Sequence, residues 1–390
     1  MTLKIFKMTS VHPNSSAKAV LLLISVLLLS ACASQPRPDT DSVARSLPKL
    51  KQHGPELHVA DVDILEVSPA MEEFLERHVL RYADLRTRSI LLLDAVSRNG
   101  PLGFEYDESL TLSASDAFDR RAGNCIAYAN MIIALARRAG LKAHYQEVFR
   151  ERDWSSRENS LLLIKHINVV IASNPHNSTV VDISGLNIGP MVRQRTITDD
   201  FAKALHLNNL GVELMLNNKL PAAYAYFRKA TEVEPMVIDS WVNVGVVFGR
   251  NNQLNDAEAA FQTALQIDQS EYSAMSNLYE VFVAQENLEA AQELYAQVEK
   301  HRLKNPYYLL RLSDEALQNQ QFDESISLLR RAIRKKGDDH ELHFALAKTQ
   351  YLSGETKAAE DSLERARDLA PDNMLAEYNR PLNELMADYK

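Results

Sequence analysis

The chain has 390 residues, with 43 Lys and Arg against 52 Asp and Glu, for a formal charge of −9 at neutral pH. That balance, with no basic stripe along the sequence, argues against a nucleic-acid partner. Hydrophobic residues make up 46% of the chain, and its only two cysteines are Cys32 and Cys125, too few for a disulfide framework.

The amino terminus opens with Lys4, Lys7 and Lys18, and an almost unbroken apolar run follows from Ala19 to Leu29. The run is long enough for a signal-peptide core and too short to span a bilayer as a helix. It ends in Leu29-Ser30-Ala31-Cys32, which resembles the lipobox of bacterial lipoproteins. The resemblance implies cleavage before Cys32, diacylation of that residue and, since Ala33 and Ser34 carry no acidic retention signal, an outer-membrane anchor facing the periplasm. More than one acyl chain is enough for stable anchoring. About 358 residues follow Cys32, enough for two ordinary domains. Cys125 is then the single thiol of the mature chain, so no internal disulfide is possible.

Residues 33–67 are polar and hold Pro36, Pro38, Pro48, Gly54 and Pro55, which predicts a flexible tether. Ser68-Pro69 predicts a capped helix start, and a second helix is expected over Asp84 to Ser97, stopped by Asn99-Gly100-Pro101. Ser113 to Arg121 predicts a short capped helix, and Gly123-Asn124 breaks the chain before a strong helix from Cys125 to Arg138. Three strand-forming runs follow: Lys142 to Phe149, Leu161 to Ile171, and Thr179 to Ile183. A charged loop around Trp154 is expected between the first two, and a turn at Ser173 to Asn177 between the last two. Helices followed by strands predict an α+β domain over residues 68–200, its antiparallel sheet packed on the Cys125 helix.

The remainder is periodic. Leu207, Leu210, Gly211, Leu214, Ala223, Phe227 and Ala230 are followed 34 residues later by Trp241, Val244, Gly245, Phe248, Ala257, Phe261 and Ala264. The register persists through Met275 and Leu278, through Leu309 and Leu312, and through Ala359 and Leu363. Small residues stand where paired helices cross closely, and large ones fill the space beside them. The pattern resembles the tetratricopeptide repeat. It implies an all-α solenoid of five units over residues 204–373, a capping helix over 374–390, and a protein or peptide partner.

The segment Arg121-Ala-Gly-Asn-Cys-Ile-Ala-Tyr, continuing to Arg138-Ala-Gly-Leu141, resembles the nucleophile segment of the transglutaminase-like, papain-like cysteine superfamily. The resemblance covers roughly residues 70–190 and is strongest from Ser113 to Tyr145. It implies Cys125 as nucleophile, His166 as acid/base and Asp182 as the residue orienting the imidazole. Physical chemistry points the same way. A thiol at a helix amino terminus meets the positive end of the dipole and unpaired N–H groups, and a nearby imidazole favours thiolate further. His166 also reads as a core histidine, Asp182 as a cap on the turn into Ser184-Gly185, and His144 is a rival base on the strand after the helix. The chain departs from the family pattern twice. Asn168 and Val169 stand where an aromatic residue often follows the histidine, and no tryptophan precedes Cys125 in the domain. Tyr106 is the candidate second oxyanion donor beside the Cys125 N–H, and Trp154 is a candidate substrate lid.

His166 and Asp182 flank one turn, so strand register decides whether they meet. They oppose each other directly if Ala172 opposes His176. A two-residue shift makes them diagonal neighbours on one face, and a one-residue shift puts them on opposite faces. No cofactor or metal is expected, since the histidines are scattered and neither a His-Glu-x-x-His spacing nor a glycine-rich phosphate loop occurs. The resemblances together imply a lipid-anchored envelope peptidase or amidase, with acyl transfer favouring hydrolysis over cross-linking. The alternative is a catalytically silent scaffold for envelope protein assembly.

Overall fold

A computed structural model describes residues 40–51, 57–157, 160–174, 177–182, 193–371, 374–375, 378–380 and 384. Cys32 and the apolar run before it therefore lie outside the described residues. The chain divides into two compact units: Met1–Val62 with Asp199–Gln285, and Asp63–Thr198 with Glu286–Lys390.

The α+β region belongs to the second unit. Helix α2 (Pro69–His78) starts where expected, its Ser68 Oγ accepting the Met71 N–H at 3.3 Å, and α3 (Leu85–Val96) is capped by Asp84. Between α3 and α4 (Ala114–Arg120) runs the two-residue strand β1 (Glu105–Tyr106), which pairs in parallel with β2 (Ala122–Gly123). Neither strand carries enough alternation to be read from sequence. Helix α5 (Cys125–Arg138) follows at once and is the core of the region. Its Ile126, Met131, Ile132, Ile133 and Leu135 are each at most 1% exposed. Burying five such side chains contributes on the order of 10 kcal/mol, far more than any single cap, so packing decides where this helix lies.

The sheet has the order β5-β4-β3-β6 and is antiparallel throughout. Strands β3 (Lys142–Arg157) and β4 (Ser160–Asn174) form one long hairpin, so the expected charged loop around Trp154 is instead extended and paired. Charged composition does not prevent strand pairing when the partner supplies the apolar run Leu161–Ile164. A register irregularity between Val148 and Asp153 separates the hairpin's two halves. Strand β5 is Asn177–Val181, and the turn at Pro175-His176 lies outside the described residues. Strand β6 (Arg193–Ile197), not foreseen from sequence, closes the other edge. Its Arg195 sits opposite Glu147 in the register, and the guanidinium donates to the carboxylate of that nearly buried residue at 2.7 Å. Tyr145 and Val169 are fully buried, and the Tyr145 hydroxyl donates to Asn130 Oδ1 of α5 at 2.7 Å, fastening helix to sheet.

Among the described residues ten helices follow: α6 (Asp199–Leu216), α7 (Leu220–Val233), α8 (Ile238–Arg250), α9 (Leu254–Ile267), α10 (Tyr272–Ala284), α11 (Leu288–Arg302), α12 (Pro306–Gln318), α13 (Phe322–Ile333), α14 (His340–Leu352) and α15 (Thr356–Leu369). The first begins five residues before the expected boundary at 204. Helices α6 with α7, α8 with α9, α12 with α13 and α14 with α15 pack as pairs. A Cβ added to Gly211 would lie 2.5 Å from the Phe227 ring, and one on Gly245 2.6 Å from the Phe261 ring. These glycines are required by close approach. Beyond α15 only parts of the expected capping helix fall among the described residues. Tyr378 there is buried, stacked at 4.8 Å on Phe344, and its hydroxyl meets His340 Nδ1 at 3.0 Å.

Part of the segment read as a tether belongs to the first unit. Thr40–Arg45 forms helix α1, which packs on α7, and residues 48–51 are hydrogen-bonded to α7 and the α8–α9 turn. Among the described residues no helix is long and apolar enough to cross a membrane.

Candidate active site

Cys125 opens α5, and its position is fixed from both sides. Asn124 is the N-cap: its Oδ1 accepts the Ala127 N–H at 3.1 Å, while its Nδ2 donates to Thr111 Oγ1 at 2.8 Å. Gly123 precedes it in β2, and a Cβ there would meet the Ala127 methyl at 2.6 Å, so only glycine lets the chain enter the helix this closely. The parallel pairing of β1 and β2 places Tyr106 opposite Gly123, two residues before the cysteine. Cys125 itself is partly exposed.

Strands β4 and β5 bring the other two residues together. Val169 pairs with Val181, Val170 with Val180 and Ala172 with Ser178. Continued by one residue, this register sets Asp182 opposite Asn168, diagonal to His166 and on the same face. It is the two-residue shift among the three possibilities. His166 Nε2 and Asp182 Oδ2 lie 2.5 Å apart, and each side chain is only 10% exposed. Since Asp182 engages Nε2, Nδ1 is the ring nitrogen left to serve another partner.

The electrostatics differ from the expected activated thiol. Burial pushes the Cys125 thiol above its ordinary value, and the Asp182 carboxylate adds to the rise. The backbone N–H groups of Ile167, Ile126 and Cys125 itself work in the opposite direction without reversing it. Loss of water around a small anion outweighs a few N–H dipoles at a single helix end. The resting thiol is therefore neutral near pH 7. Tyr106 is pushed up to about 12, by burial first and then by Cys125, Glu108, Asp107 and Asp182, although half of its surface remains exposed. Tyr128, in contact with Phe104, is likewise raised to about 12 by burial and by Asp182. Both phenols are hydrogen-bond donors at neutral pH.

Of the residues singled out in the sequence, His166 and Asp182 are thus in direct contact, and Cys125 and Tyr106 lie within electrostatic reach of Asp182. His144 stands on β3 opposite Val170 and does not enter that pair. Trp154 lies in β3 opposite Leu163, with its side chain outside the described residues. Asn168, read from sequence only as a departure from the family pattern, is a polar residue of the core. It is 1% exposed, pairs across the sheet with Gln146, and among the described residues neither its Oδ1 nor its Nδ2 meets a hydrogen-bond partner; Gln146 Oε1 is similarly buried without one there. An asparagine two residues after the histidine in an otherwise apolar strand was the available signal. Among the described residues no group of three or more His, Cys, Asp or Glu side chains could hold a metal ion.

Residues 238–271 and 310–373 match models of the tetratricopeptide repeat. The C-terminal region is therefore a solenoid-like array of tetratricopeptide repeats, a fold that binds proteins and peptides. Among solved structures, YrrB, a TPR protein with an unusual peptide-binding site, is 20% identical; the match covers 44% of this chain and 89% of that one, with a TM-score of 0.26. PilF of Pseudomonas aeruginosa is 16% identical over 49% of this chain and 90% of its own, with a TM-score of 0.34. MamA of Desulfovibrio magneticus RS-1 is 13% identical over 44% of this chain and 96% of its own, with a TM-score of 0.28. No curated protein matches the chain.

Proposed function

We propose that the chain is a lipid-anchored envelope cysteine enzyme of transglutaminase-like type, held by Cys32 at the periplasmic face of the outer membrane, that cleaves peptide or protein amides brought to it by the repeat array. The observation carrying this reading is the 2.5 Å contact between His166 Nε2 and Asp182 Oδ2, in a region where Cys125 opens a helix. Asp182 fixes the imidazole so that Nδ1 takes the thiol proton. Sulfur then attacks the amide carbonyl, and the oxyanion is met by the Cys125 N–H and the neutral Tyr106 phenol. The imidazolium returns the proton to the leaving nitrogen as the C–N bond breaks, giving a thioester. Water, deprotonated by the same nitrogen, releases the acid and restores the thiol. Since burial holds the resting thiol neutral, proton transfer accompanies substrate binding rather than preceding it.

A second reading is favoured by that same raised thiol: the α+β region is silent and the repeats act as a scaffold. Iodoacetamide alkylation of Cys125 against pH, on the chain lacking residues 1–32, separates the two. The free protein should alkylate slowly at pH 7, with a midpoint above the ordinary thiol value of about 8.5. An amide substrate or peptidyl electrophile should accelerate modification at pH 7 in a manner that His166→Ala abolishes. Acceleration that survives His166→Ala, or no acceleration by any peptide electrophile, would favour the scaffold.

A further inference from the structure

The α8–α9 turn already holds a short stretch of main chain, the chain's own residues 48–51. The Tyr224 hydroxyl donates to the Pro48 carbonyl. Gln253 Nε2 donates to the Lys49 carbonyl at 3.3 Å, while Gln253 Oε1 accepts the Lys51 N–H at 2.7 Å. Asn251 Nδ2 donates to the Lys51 carbonyl at 2.9 Å and to Gln253 Oε1 at 2.6 Å. Asp256 Oδ2 accepts from Gln253 Nε2 at 2.6 Å and so orients the amide. These four hydrogen bonds to the segment all reach its main chain. The Lys49 carbonyl and the Lys51 N–H both meet the one amide of Gln253. The polar part of the site reads main chain, while Leu47 just before it is buried.

Two repeats further on, 68 residues away, the same set stands again: Asn319, Gln321 and Glu324 in place of Asn251, Gln253 and Asp256. The one intervening repeat does not keep it, having Gln285, Asn287 and Ala290, and neither do the first (Asn217, Lys219, Ala222) or the fifth (Ser353, Glu355, Ala358). The two turns have matching backbones. Asn251 has φ −88 and ψ 8 against −87 and 8 at Asn319, and Gln253 has −92 and 65 against −87 and 68 at Gln321. Asn252 and Gln320 between them sit at φ 59 and 58. The difference is occupancy. Gln253 is buried beneath the docked segment, whereas Asn319, Gln321 and Glu324 are exposed. Gln292, the exposed residue 68 positions beyond Tyr224, carries an amide that can donate to a carbonyl as the phenol does.

We infer that the α12–α13 turn is a second backbone-reading site, which binds an extended, proline-containing segment of a partner protein in the way residues 48–51 are bound in cis. The inference deepens the protein-binding role of the repeats and is independent of whether Cys125 is catalytic. The test uses the chain lacking residues 1–32 and a fluorescent peptide of residues 46–52 (Ser-Leu-Pro-Lys-Leu-Lys-Gln), with binding followed by anisotropy. One saturable site is expected on the wild type. Asn319→Ala with Gln321→Ala, at exposed positions that leave the packed helices untouched, should weaken it about tenfold or more, since each lost amide removes a hydrogen bond to the peptide. Asn251→Ala with Gln253→Ala should leave binding at that site unchanged, since the α8–α9 turn loses the amides that hold a peptide there. No saturable binding up to millimolar peptide would overturn the inference. So would binding indifferent to the Asn319 and Gln321 changes, which would mean that the peptide merely exchanges with the docked segment. Loss of amide cleavage in the Cys125→Ala variant, with peptide binding retained, would bear only on the catalytic proposal.

Discussion

The α+β region and the repeat array bury polar groups by opposite strategies. In the array a contact that works is used again. The glycine-on-phenylalanine crossing occurs at Gly211 and Gly245, and a left-handed residue follows a helix at 218, 252, 286, 320 and 354. In the α+β region every polar arrangement occurs once. His166 meets Asp182 across one strand register, Glu147 meets Arg195 across another, and Asn124 with Thr111 holds the start of α5. Repetition spreads the cost of any one change over neighbours that pack alike, whereas a single arrangement has no substitute. Substitutions in the first region should therefore act on chemistry and in the second on stability.

The sharpest way to break this comparison is Asp182→Asn beside His166→Ala. If the pair orients a catalytic imidazole, either change should lower amide turnover by about 10³-fold or more with little loss of helix content. An asparagine can still hydrogen-bond Nε2, but it favours the wrong tautomer and no longer stabilises the imidazolium. Measured turnover that falls only in proportion to the folded fraction would make the pair a structural bridge.

This pair also marks the limit of what the sequence discloses. Cys125, His166 and Asp182 are legible as types in order, but their meeting depends on whether Ala172 opposes residue 176, 177 or 178, and the turn residues favour none of these. The observed pairing with Ser178 is set by the whole sheet. The long β3–β4 hairpin was hidden because its distal half alternates poorly, and β1, β2 and β6 because short strands carry little periodicity. Docking of residues 40–51 was hidden for a different reason. It is held by side chains some 200 positions away, Gln253 and Asn251, so local composition reads only as polar chain. The raised thiol of Cys125 likewise depends on how deeply neighbouring elements cover it. The repeats were legible because a 34-residue period restates one pattern of small and large residues along the chain.

A smaller effect separates two glycines on α8. Gly245→Ala drives a methyl against the Phe261 ring at 2.6 Å and should cost about 1–3 kcal/mol through overpacking. Nothing lies within 4 Å of a Cβ at Gly249, so Gly249→Ala should stabilise by about 0.5–1 kcal/mol through helix propensity. Urea midpoints read from the helical signal check both signs. Equal shifts would mean that the crossing is loose and that the period reflects composition alone. In the α+β region, Asn124→Ala removes the cap of α5 and should cost about 1 kcal/mol. It should also change the alkylation rate of Cys125 next to it, a readout with no counterpart in the array.

The smallest effects test the repeated turn itself. Four of its five left-handed positions carry side chains, at φ 57 for Asn218, 59 for Asn252, 61 for Glu286 and 58 for Gln320, while the fifth is Gly354 at φ 90. An L-residue there costs about 1 kcal/mol unless its side chain bonds locally, as asparagine does. Glu286→Gly and Gln320→Gly should therefore stabilise by a few tenths to about 1 kcal/mol, after the added flexibility of glycine in the unfolded chain is subtracted. Asn218→Gly and Asn252→Gly should be close to neutral, and Gly354→Ala should cost about 1 kcal/mol. The order of the five, read from denaturant midpoints, matters more than any single value. Because the first four share φ within a few degrees, the spread among those four measures side-chain chemistry. If Glu286→Gly proved as destabilising as Gly354→Ala, the side chains at these turns would be making contacts that the repeated backbone does not require, and the array would share the one-off character of the α+β region.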